Sequence, residues 1–214
     1  MEVWHHDGKL YEVNSYYSLP DDAWQYELAG LTGASGAAGP YVAIVIPDAT
    51  PDDGPFTPRP AQHALVHLGG GQLPWPILRK LIEMVESSGD LVEEQRNAFP
   101  GGKPFPLSLN VWNHDDKQFE VNSFHLSETD SWCYELYEVK PETEDNDYID
   151  LQIPDASPEG GPFVPSPARQ VTLAMHGDWL IPWPIFRRFI DGVRASGDLV
   201  EIGREVLPTQ ELSD

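Results

Sequence analysis

The stretch VWHHDGKLYEVNS at residues 3–15 returns as VWNHDDKQFEVNS at residues 111–123, and this recurrence decides how the whole chain is read. Extended to residues 3–28 against 111–136, the match runs without a gap and keeps 14 of 26 positions. Residues 46–61 keep 11 of 16 positions against 153–168, and residues 74–93 keep 13 of 20 against 182–201. The offset is 107 in the second block and 108 in the third, so one residue is gained between them. Three matches in the same order mark an internal repeat, and so long a period suits two homologous units rather than a solenoid. The expected division is a first repeat domain over 1–95, a Pro/Gly linker over 96–108, a second repeat domain over 109–203 and a C-terminal tail over 204–214.

Within each unit the patterning is mostly that of strands. His6-Asp7-Gly8-Lys9 suits a tight hairpin turn, because Asp-Gly tolerates positive φ, and His114-Asp115-Asp116-Lys117 can turn as well. Residues 10–18 and 23–31 then alternate with period two. A turn at 19–22 puts Tyr11, Val13, Ser15 and Tyr17 on one face with Trp24, Tyr26 and Leu28, and sets Asn14 opposite Glu27 on the other. Trp24 and Trp132 are then expected in the core. A fourth strand covers 41–46 and 148–153, a Pro-rich arch follows, and a fifth strand is expected over 61–68 and 168–175. Leu91-Val92 and Leu199-Val200 are candidates for a last short strand.

One helix per unit fits the remainder. Pro76 and Pro184 suit a first helical turn, Gly89 and Gly197 suit a C-terminal stop, and Ile77, Leu78, Leu81, Ile82 and Val85 recur as an apolar stripe in the second copy. The expected fold is α+β: a tandem duplication of a small domain, each an antiparallel meander of about five strands with one helix on one face.

Composition narrows the partners. Thirteen Lys and Arg against 35 Asp and Glu give a net charge of −22, which repels nucleic-acid backbones and anionic membranes. No run approaches the apolar length of a bilayer span, the N-terminus does not read as a signal peptide, and the lone Cys133 has no disulfide partner, so a cytoplasmic protein is expected. The charge is −9 before residue 101 and −13 after it. It peaks in the acidic loop 137–147, whose counterpart 29–39 carries no charge.

The residues shared by the copies offer few reactive groups. His6 with Asp7, and His114 with Asp115, are weak metal candidates, since neighbours on a turn rarely converge on one ion. Gly69-Gly-Gly71 invites comparison with a phosphate cradle, but no Lys follows it and a proline opens the helix. Cys133 has no evident base. The polar set Glu12, Asn14 and Glu27, repeated as Glu120, Asn122 and Glu135, suits a partner's Arg or Lys, and Glu142, Glu144, Asp145 and Asp147 of the acidic loop extend that surface. Without a catalytic constellation or a cofactor motif, the sequence points to an acidic protein-binding module of inhibitor or immunity type that captures a basic protein, its two domains forming an internal pseudo-dimer. Two alternatives stand beside it. One is a small-ligand binder or enzyme using the groove between the domains. The other is a housekeeping protein whose acidity, with Arg outnumbering Lys 8 to 5, reflects genomic composition.

Overall fold

Strand alternation carries the chain through ten long strands in two runs of five, each run closed by a helix. The structure, a computed structural model, describes residues 1–31, 39–50, 54–92, 110–140, 147–157, 161–201 and 209–210. The first run is β1 (Glu2–His6), β2 (Lys9–Ser18), β3 (Ala23–Leu31), β4 (Tyr41–Pro47) and β5 (Leu65–Pro74), followed by α1 (Trp75–Ser88). The second is β6 (Asn110–His114), β7 (Lys117–Leu126), β8 (Ser131–Glu138), β9 (Tyr148–Pro154) and β10 (Thr172–Pro182), followed by α2 (Trp183–Ser196). Thr209–Gln210 forms a two-residue β11 that pairs with β1. The expected linker and most of the expected tail lie outside the described residues.

The local expectations hold where short-range chemistry decides them. Asp7 (φ 45) and Gly8 (φ 75) turn β1 into β2, and Asp22 and Asp130 take the left-handed conformation before β3 and β8. Asn14 pairs with Glu27 and Asn122 with Glu135. Each helix has its proline at the N-terminal turn and stops at a left-handed glycine, Gly89 (φ 83) or Gly197 (φ 86).

The sheet itself differs from the expectation. Two five-stranded sheets were expected, but the strands form a single antiparallel sheet in the order β11-β1-β2-β3-β4-β5-β10-β9-β8-β7-β6. The seam is β5 against β10, where Val66 pairs with Ile181 and Leu68 with Trp179. Strand five also starts later and runs longer than its pattern suggests. Ala61–His63 and Ala168–Gln170 are short 3₁₀ turns set up by the preceding prolines, and β5 continues through Gly69-Gly-Gly71 to Pro74. Those glycines are strand residues because the backbone is crowded there. A Cβ on Gly69 would lie 3.2 Å from Tyr41 Cβ, and one on Gly71, whose φ is 126, would lie 3.3 Å from the Pro40 backbone. The residue gained by the second copy sits in a bulge of β10 between Met175 and Asp178, with Gly177 at φ 95. Leu91-Val92 and Leu199-Val200 contribute only single bridges, Val92 to Pro60 and Val200 to Pro167.

Both helices lie on one face of this sheet, over a continuous core drawn from both halves. They also cross the seam. Trp75 N–H donates to Val171 O at 2.9 Å and Trp183 N–H to Ala64 O at 2.8 Å, so each helix begins on the other half's backbone. Arg187 pairs with Glu86 across the helices at 2.6 Å, and Trp75 Nε1 donates to Glu201 at 2.9 Å. Lys80 stands over Trp4 and Arg188 over Trp112, at 4.3 and 4.5 Å from the ring centres, so alkyl stems and cations cover the aromatic face.

Trp24 and Trp132 are only half-buried and rest on Phe56 and Phe163 of the Pro-rich arches, 5.7 and 5.8 Å between ring centres. The fully enclosed tryptophans are Trp4, Trp75 and Trp183. Trp183→Ala is therefore expected to lower stability by about 3–5 kcal/mol and Trp24→Ala by clearly less, measured by urea unfolding. Equal losses would contradict this placement of the core.

Candidate outer-face site

The face opposite the helices collects the polar positions of every strand, since side chains alternate across the pleat. It holds the sequence-derived set: Glu12 and Asn14 on β2, Glu27 on β3, Glu120 and Asn122 on β7, Glu135 on β8. Exposed Tyr16, Phe124, Leu10, Leu31 and Leu180 lie among them, the mixture of aromatic, aliphatic and charged groups found at protein interfaces. Of the acidic loop, Asp147 is described and pairs with Lys140 at 3.1 Å. Glu142, Glu144 and Asp145 lie outside the described residues.

The two halves satisfy their carboxylates differently. In the first, Glu27 accepts hydrogen bonds from Tyr16 at 2.6 Å and Tyr41 at 2.7 Å, and Asn14 donates to Glu12 at 2.9 Å. Bonding to Glu27, with some burial, pushes the Tyr16 hydroxyl up to about 12. In the second, Tyr137 donates to Glu120 at 2.5 Å, and Asn122 bonds to Tyr137 at 3.4 Å. Glu135, the counterpart of Glu27, has lost both tyrosine donors. Phe124 stands at the position of Tyr16, and Tyr148, at the position of Tyr41, stacks on His176 with 4.0 Å between ring centres.

Asp150 stands where the first half has Ala43, directly across from Glu135 in register. Gln152 donates to Asp150 Oδ1 at 2.6 Å, and His176 Nε2 lies 2.9 Å from its Oδ2. Burial, then the Asp150 charge, hold the Glu135 carboxyl above its ordinary range, with Asn122 and His176 opposing the shift. Cys133 is buried beside them and its thiol is pushed up to about 12, by burial first and then Asp150 and Glu135, so it is no nucleophile at neutral pH. A like-charged pair held on a sheet face, with one of its members short of donors, is suited to receive a cation.

Asp150 and His176 lie outside the polar set that the two halves share, and each occurs in one half only. The signal that could have found them was the substitution of Ala43 by Asp150 next to the kept Glu. Ala43 itself is buried, and Val45 and Leu65 are half-buried.

The metal candidates are placed differently. His6 lies 3.4 Å from Asp7 and His114 3.7 Å from Asp115, each a largely buried histidine at a strand end beside an exposed aspartate of the turn. His125, Asp130 and Asp155 bring three groups together, with ligand atoms within 4.8 Å of one another. That cluster has a structural account. Asp155 Oδ1 accepts the Ser157 and Val164 N–H groups, which clamps the Pro-rich arch and lowers its pKa. Asp48 does the same with Thr50 and Thr57, and there Tyr17 donates at 3.1 Å from the position of His125.

Compared with family models, curated proteins and solved structures, the chain matches none. No helix among the described residues is long and apolar enough to cross a membrane.

The raised Glu135 pKa has a definite sign. Above that pKa the folded state carries an ionised group at a cost. As pH falls through it toward the ordinary 4.5, the folded chain takes up a proton before the unfolded chain does and the cost disappears. Glu135→Gln is expected to raise the melting temperature at pH 7, with the gain shrinking toward pH 4.5; a gain independent of pH would show that ionisation is not its source.

Proposed function

We propose that this chain is an acidic binding module that captures a basic protein on the outer face of its sheet, as an inhibitor or immunity protein does, in the cytoplasm. The observation that carries the reading is the Glu135–Asp150 pair. It places two carboxylates opposite each other on neighbouring strands, at a cost to folding, beside the exposed Phe124. A position that lowers stability without serving the core is the kind retained for binding. A guanidinium entering between the two carboxylates would relieve their repulsion and make charge-assisted hydrogen bonds. The net charge of −22 would speed its approach.

The internal repeat is read as a duplication whose two halves, each of five strands and a helix, act as a pseudo-dimer. After duplication the first half kept a self-satisfied Glu27, and the second acquired Asp150 and His176. The partner is then expected to contact the second half more than the first.

The test is capture of a basic protein from the native host, followed by titration of the purified pair. Binding should weaken strongly as salt rises above about 0.5 M. The Glu135→Gln, Asp150→Asn double variant should weaken it by about a hundredfold, the worth of a desolvated charge pair, while Glu27→Gln has little effect. Binding that is insensitive to salt and to the double variant would remove the proposal.

A further inference from the structure

The cleft of about 420 Å³ at the junction of the halves is lined by His6, Asp7, Lys9 and Pro74 from the first half and Arg169, Gln170 and Thr172 from the second. It runs against the electrostatics of the rest of the chain. Lys9 and Arg169 make no ion pair among the described residues, although acidic groups outnumber basic ones 35 to 13.

The matching position of the other half differs in the acids around its lysine. There Lys117 pairs with Glu138 at 3.0 Å, and the turn carries Asp115 and Asp116. In the first half Gly30 replaces Glu138 and Gly8 replaces Asp116, while Arg169 stands where the other half has Gln62. Lys9 and Arg169 against Asp7 leave one net positive charge, whereas Lys117 against Asp115, Asp116 and Glu138 leaves two net negative ones. The acid is absent for a steric reason. Gly30 donates to Pro40 O at 2.8 Å, and a Cβ on Gly30 would fall 2.6 Å from Pro40 Cδ. The first half also keeps a hydroxyl on Tyr11, buried without a hydrogen-bond partner, where the second has Phe119.

We propose that this cleft binds a small-molecule oxyanion, a carboxylate or phosphate, held by the Arg169 guanidinium and the Lys9 ammonium with Gln170 and Thr172 as neutral donors. Arginine suits the role because its planar fork meets two oxygens of a carboxylate or phosphate at once. The site is separate from the outer sheet face, and either can fail without the other.

Isothermal titration of the full chain at low ionic strength, with malonate and with inorganic phosphate as probes, tests it. Saturable binding of one or both probes at a single site is expected, and the tighter one identifies the ligand chemistry. Arg169→Ala and Lys9→Ala should each weaken binding about tenfold, the loss of one charge-assisted hydrogen bond. Both residues are exposed, so the fold should persist, which circular dichroism checks. Lys117→Ala at the matching turn should leave binding unchanged. The proposal is overturned if neither anion binds at millimolar concentration, or if binding survives both substitutions undiminished.

Discussion

Pairing of β5 with β10 joins Val66 to Ile181 and Leu68 to Trp179, and nearly every other feature depends on that seam. Each strand would otherwise be the open edge of a five-stranded sheet, with a row of unpaired N–H and C=O groups. Joined, they place ten long strands in one surface and let two helices share one core. The helices reinforce the seam, because Trp75 and Trp183 donate their first N–H groups to the opposite half. Separation of the halves would therefore break sheet hydrogen bonds, helix starts and the Arg187–Glu86 pair together.

A repeat built about such a seam has two copies of every position and is free to use them unequally. The strand registers are equivalent and the helices stop at equivalent glycines, because backbone geometry and core packing act on both copies alike. The differences collect where packing does not decide the residue. Glu27 is held by two tyrosines, and Glu135 faces Asp150 instead. Lys117 has Glu138, and Lys9 has Gly30. The first departure brings two carboxylates together on the outer sheet face, and the second leaves Lys9 and Arg169 without an ion pair among the described residues.

Much of the fold was legible because it rests on local rules. Alternation named the faces of β2 and β3, the turn at 19–22 set Asn14 against Glu27, and Pro76 with Gly89 bounded α1. The triple glycine was harder. Glycine usually marks a turn, but here it lets β5 pass close to Tyr41 and Pro40. The tryptophans were misjudged for a related reason. Alternation assigns a face, but depth within that face depends on where the helix lies, so Trp24 and Trp132 ended beneath the arches instead of under the helices. Of the site, the Glu-Asn-Glu set was visible as a kept polar pattern. Asp150, His176 and Arg169 were not, since they differ between the copies.

The amino-acid order settles the internal repeat through its offset of 107–108 residues, and the strand faces, the hairpin register and the helix ends through spacings of a few residues. It also determined the charge. Packing between distant segments makes the two sets of strands one sheet, since an edge strand and an interior strand of an antiparallel sheet share the same alternation. It likewise decided which acids meet and which cations are left alone. Those outcomes depend on groups such as Glu135 and Asp150, or Lys9 and Arg169, that lie on different strands or in different halves, and no spacing along the chain records that proximity.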